Sequence, residues 1–238
     1  MSSPRSERPH RSEYVSARPT RPGWIEIVVG LLTMLVAMVA VLIFGPLGLD
    51  LEPVTYGLVL AAWSGVAGLA GFGAAVLVRI RSLAPFGVRR TTWRWMAIGL
   101  AAGVLGLSLK YVWNFFIIFF TDFADTDPQG MYYDAAGGGV LPMLLTVLFL
   151  AVLTPIGEEF LFRGVLMNAL LRYGPVIAVL SSSVVFALFH GFNFIFPAAV
   201  IVGIVAAEVA RRSGSIWPAV VVHAVNNAAV PAVALIMG

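Results

Sequence analysis

The sequence predicts an all-α fold, a polytopic transmembrane helical bundle of about seven helices. Three observations predict it. Of 238 residues, 60% are hydrophobic and only 11% are charged, against about 25% charged in soluble domains; the mean hydropathy is +0.93. Apolar runs recur at 24–44, 54–79, 94–120, 140–171, 175–192, 194–210 and 215–236, most of them close to the roughly 20 residues a helix needs to cross hydrocarbon. Most of the charged residues, the basic ones above all, flank these runs. The chain has no cysteine, which excludes disulfides, thiolate catalysis and cysteine-ligated metals or clusters.

Residues 1–23 carry Arg5, Arg8, Arg11, Arg18 and Arg21 among Ser and Pro. Such a stretch has too little apolar surface to fold and reads as a disordered, basic, cytoplasmic tail, with charge suited to anionic lipid. It is not read as a cleavable signal peptide, because the apolar run after it is too long for an h-region. Residues 24–238 read as the transmembrane domain. The first loop is acidic (Asp50, Glu52), and the 79–94 loop is basic (Arg79, Arg81, Arg89, Arg90, Arg94). The loop after 120 is acidic again (Asp122, Asp125, Asp127, Asp134). Arg172-Tyr173-Gly174-Pro175 reads as a turn after the longest segment. The fifth and sixth segments are short and meet near Gly191–Asn193, and Arg211 and Arg212 close the sixth. The alternation of sign places the N-terminus in the cytoplasm by the positive-inside rule, and it suits an odd number of helices. Trp24, Trp93, Trp95 and Trp217 flank the spans as an aromatic belt would. The net charge of +3 is therefore topogenic, and it does not point to nucleic acid. The protein is expected to be integral to the cell membrane.

Polar residues inside the spans carry the functional signal. Glu158 and Glu159 lie in the apolar run Leu150–Arg163, where each ionised carboxylate costs roughly 3 kcal/mol or more. Glu159 and Arg163 are i,i+4 with the acid first, the favourable order for an ion pair. Glu158 points about 100° away, so the two acids need not share a role: one can be held by Arg163 while the other faces a cavity. Pro155 and Gly157, just before them, favour a bend. Glu158 lies 16 residues before Gly174 and His190 lies 16 residues after it, so an antiparallel hairpin puts both about 24 Å from its tip. His223 and Asn227 are i,i+4 and share a face of the last helix. The other two spans with polar residues read as structural: Lys110, with Asn114 one turn on, as a snorkelling or loop-paired lysine, and Glu208 with Arg212 as an interfacial pair. Ser181, Ser182 and Ser183 read as helix packing rather than as nucleophiles.

Peptide hydrolysis needs a base for water, an acid for the leaving amine and donors for the oxyanion. A desolvated glutamate serves as the base. A neutral histidine shares its water, and a second histidine with an asparagine amide serves the oxyanion. Two histidines and a glutamate also make a zinc set, Glu158, His190 and His223. No His-Glu-x-x-His helix is present, which favours the version without a cofactor.

Glu158-Glu159-x-x-x-Arg163, Phe186-x-x-x-His190 and His223-x-x-x-Asn227, in that order on successive helices, resemble the CAAX protease and bacteriocin-processing (CPBP) family of intramembrane proteases. This family includes the Ras-converting CAAX endopeptidases. The resemblance covers 140–236. It implies Glu158 and His190 as the water-activating pair, His223 and Asn227 as oxyanion donors, and Glu159 and Arg163 as their support. It also implies a membrane-associated peptide or protein substrate, prenylated or matured by cleavage. The competing readings are a non-catalytic immunity or scaffold protein and a cation or proton transporter; the absence of inverted repeats counts against the transporter.

Overall fold

A computed structural model describes residues 21–48, 51–120 and 129–237. Most of the predicted tail, Asp50, and the loop acids Asp122, Asp125 and Asp127 lie outside the described residues. Among the described residues the long elements are all helices: α1 (Trp24–Gly48), α2 (Pro53–Val78), α3 (Trp93–Phe120), α4 (Gly130–Gly137), α5 (Val140–Tyr173), α6 (Pro175–Leu188), α7 (Ile195–Ser213), α8 (Trp217–Asn227) and α9 (Ala229–Met237). Each of the seven apolar runs forms a helix, the last of them split at Ala228 into α8 and α9. Five helical stretches are long and apolar enough to cross a membrane by themselves: α1, α2, α3, α5, and α8 with α9. Of the other two, α6 has only 14 residues and α7 ends in Arg211 and Arg212.

Helix α5 is the axis of the bundle. Every residue from Leu161 to Met167 is buried, and Phe162 packs edge-on against Phe186 of α6. The helix is not uniform. Val147–Leu153 and Phe160–Met167 are π-helical and bracket an α-helical turn, Thr154–Glu159. Pro155 does not break it. In the first π-segment the Thr154 N–H reaches back to the Phe149 carbonyl, and the matching partner for the Leu150 carbonyl would be Pro155, which has no N–H. Segments of this type recur at functional sites.

Helix α2 lies along α5 because both present glycine at the contact. A Cβ on Gly157 would sit 2.1 Å from the Gly65 carbonyl oxygen, and one on Gly68 would sit 2.5 Å from the Gly157 carbonyl carbon. Only bare backbone permits this approach. The Thr154 hydroxyl adds a bond to the Ala61 carbonyl.

The arginine-bearing loops share one end of the bundle. Arg79 makes a bidentate pair with Glu26, a fully buried acid that also caps Gly23 N–H. Arg172 donates to the Pro22 carbonyl. Ser215 donates to the Arg89 carbonyl, and Ile216 N–H to that of Gly87. Two local features depart from the sequence reading. The acidic loop contains α4, whose Ala135 and Ala136 are buried and whose seat is cut by Gly57, where a Cβ would meet the Met131 carbonyl oxygen at 2.1 Å. Eight residues are too few to show a period. Helix α6 stops at Leu188, and Gly191 turns the chain with φ 86°, so His190 sits in a terminal turn rather than within the span.

Candidate active site

Glu158 and Glu159 diverge as the helix geometry requires. Glu158 faces α2, where the Ser64 hydroxyl donates to Oε1 at 2.6 Å. Its Oε2 is buried and has no hydrogen-bond partner. Glu159 turns the other way. Its Oε2 lies 3.1 Å from Arg163 Nε, a close ion pair whose angle falls short of a hydrogen bond. Its Oε1 takes a bond from His223 Nδ1 at 3.0 Å. One carboxylate thus ties Arg163 of its own helix to His223 of α8. Arg163 is fully buried, donates through Nη2 to the Gly203 carbonyl of α7 at 2.9 Å, and lies 4.7 Å over the Phe186 ring.

The ring atoms left over define the chemistry. His223 Nε2 lies 3.9 Å from Glu158 Oε2, too far for a direct bond and wide enough to be bridged by a reacting group. His190 Nδ1 lies 3.1 Å from the Phe186 carbonyl. A carbonyl only accepts, so Nδ1 carries the proton and Nε2 presents a lone pair. Phe186 therefore serves the site twice, through its carbonyl and through its ring, which touches both His190 and His223. Asn227 Nδ2 donates to the Leu150 carbonyl at 2.9 Å, the group orphaned by Pro155. That bond leaves its second N–H unassigned and fixes the amide plane.

A cavity of about 330 Å3 opens onto this array, lined by Glu158, His190 and Asn227 together with Ser64 and Tyr132. Its far wall is apolar, with Met34, Met38, Leu60 and Trp63. A smaller recess adjoins it, lined by His223, His190 and Asn227 and also by Lys110. Of the six residues singled out from sequence, four line these spaces, while Glu159 and Arg163 form the wall behind them. Tyr132 stands on α4, where burial first, then Glu158 and Tyr56, push its phenol up to about 12. Among the described residues no three His, Asp or Glu side chains are gathered closely enough to hold a metal ion. The sequence reading missed Ser64 and Tyr132. The signal for Ser64 was the small-residue face Gly57, Ala61, Gly65 and Gly68 on α2, which marks the contact and leaves Ser64 beside it.

Residues 140–229 match the family model for Rce1-like proteins, type II CAAX prenyl endopeptidase Rce1-like. This segment is similar to that family. No curated protein and no solved structure matches the chain. All six residues read from sequence lie inside the matched segment. Ser64 and the apolar wall of the cavity lie outside it, on α1 and α2, so the site is completed by helices that the family match does not reach.

Proposed function

We propose that the protein is an intramembrane endopeptidase that hydrolyses a peptide bond near the cytoplasmic side of the membrane, in a prenylated or otherwise membrane-anchored substrate. The observation that carries this reading is a buried carboxylate, Glu158, with one oxygen held by Ser64 and the other free at the wall of a cavity, 3.9 Å from His223 Nε2.

Charge counting supports the roles. Glu158, Glu159, Arg163 and His223 are all nearly fully buried, and two carboxylates against one guanidinium leave the cluster one positive charge short. To serve an oxyanion through Nε2 while Nδ1 donates to Glu159, His223 carries a proton on both ring nitrogens in the reacting state. Nδ1–H then donates to Glu159, and Nε2–H points into the gap beside Glu158. In this arrangement Glu158 takes a proton from water held by the His190 Nε2 lone pair. The water oxygen attacks the scissile carbonyl carbon. The oxyanion accepts from His223 Nε2–H and from the free Asn227 N–H. The C–N bond then breaks, and Glu158 returns its proton to the leaving amine. Arg163 and Glu159 hold His223 in this orientation. No step calls for a metal.

Glu158→Gln keeps an acceptor for Ser64 and removes the base. It should lower cleavage of a farnesylated CAAX-type peptide by about 10²–10⁴-fold with an unchanged unfolding temperature in detergent. Wild-type rates in this variant would remove Glu158 from the chemistry. Activity of the purified enzyme should survive chelation; loss on chelation with recovery on adding zinc would replace the metal-free mechanism.

A further inference from the structure

Among the described residues, Lys110 is the one charged group near the site that the proposed mechanism leaves unused. It stands midway along α3, half-buried, on the wall of the recess that also holds His190, His223, Asn226 and Asn227. Among the described residues it makes no hydrogen bond or ion pair. Of the loop acids that the sequence offered it as partners, Asp122, Asp125 and Asp127 lie outside the described residues. Its depth matches the reacting groups: Lys110 follows Arg94 by 16 residues, as Glu158 precedes Gly174 by 16, about 24 Å in each case. Both starting points lie at the arginine-rich end. An ammonium at this depth is costly without an anion.

The recess and the large cavity share Gln129, His190, Ile195 and Asn227, so they meet at the reactive groups. The cavity side is walled by Met34, Met38, Leu60 and Trp63, which suits an apolar anchor. The recess side offers the Lys110 ammonium and one buried acceptor without a hydrogen-bond partner, Asn226 Oδ1. A chain lying across Glu158 with its anchor in the cavity can set its terminal group against the mouth of the recess. A short leaving peptide ends in a carboxylate, the complement of an unpaired ammonium.

We propose that Lys110 binds the free C-terminal carboxylate of the substrate, and so selects for cleavage a few residues from a chain end. The inference rests on the protease reading and deepens it. Two farnesylcysteine peptides with the same three following residues, one a free acid and one a C-terminal amide, provide the test on the full-length protein. The native enzyme should favour the acid by about tenfold or more in kcat/KM, the scale of one charge-assisted hydrogen bond. Lys110→Met should bring the acid-to-amide ratio close to one, and Lys110→Arg should keep most of it. Equal cleavage of acid and amide by the native enzyme overturns the proposal, and so does a preference that persists in Lys110→Met. Should Lys110→Met fail to fold, the acid–amide comparison on the native protein decides. Binding of the same two peptides to Glu158→Gln separates this proposal from the protease reading. Tighter binding of the acid with no cleavage by the native protein would sink the protease reading and keep the carboxylate site. Equal binding would sink the carboxylate site.

Discussion

Ser64 donates to one oxygen of a buried carboxylate and leaves the other oxygen as its free end. A hydrogen bond to an ionised group contributes on the order of 1.5–3 kcal/mol, and without it the carboxylate is free to rotate. Ser64→Ala should lower kcat by about tenfold with little change in KM; steady-state kinetics on a farnesylated peptide would show it, and an unaltered kcat would mean that packing alone aims Glu158. Glu159 predicts a different failure. Removing its charge leaves Arg163 buried and unpaired, at a cost of about 3–5 kcal/mol. Glu159→Gln should therefore lower the unfolding temperature sharply, whereas Glu158→Gln should leave it unchanged. Similar unfolding temperatures for the two variants would erase the split between reacting and supporting acid. At this scale the sequence was informative wherever a single helix set the geometry. The i,i+4 spacing gave Glu159–Arg163, and the divergence of Glu158 followed from the helical rotation. That Glu159 also holds His223 was not legible, because the two residues are 64 positions apart and no local rule links α5 to α8.

At the scale of elements, glycine decides how close α2 and α5 come. Replacing a helical glycine by alanine gains up to about 1 kcal/mol in propensity. At Gly157 the added methyl meets the backbone of Gly65 at 2.1 Å, which cannot yield without parting the helices, and overpacking of this kind costs about 1–3 kcal/mol or more. Gly157→Ala should thus be destabilising in thermal unfolding and should also lower activity, because Ser64 rides on the displaced helix. Gly73→Ala, with nothing within 4 Å of the new methyl, should be neutral or slightly stabilising. Equal stability of the two variants would refute the close-contact account. Pro155 shows how an element carries a signal that only its neighbour completes. In sequence it marked a bend. In the folded chain α5 continues through it as two π-segments around a short α-turn, and the carbonyl left without a donor is taken by Asn227 of α8.

At the scale of the whole molecule, the alternating charge of the loops predicts one orientation. The absence of cysteine makes this directly measurable. An impermeant thiol reagent applied to intact cells should label Asp134→Cys, on the acidic side, and leave Ser82→Cys, in the arginine-bearing loop, unlabelled. The opposite pattern would invert the topology and move the site to the outer side of the membrane. By itself the sequence determined the helical class, the seven apolar segments, the clustering of basic loops, and the six residues of the matched segment. Hydropathy, charge bias and i,i+4 spacing are local properties, and a local property survives without the fold. Only the tertiary structure decided that Ser64 reaches Glu158 across 94 residues of chain, that α4 closes onto α2, that His190 stands in a turn beyond its helix, and that Lys110 and His223 line one recess. Each of these depends on which helices touch. In a membrane that choice is made by small residues and close backbone contact, because apolar side chains meet lipid as readily as one another.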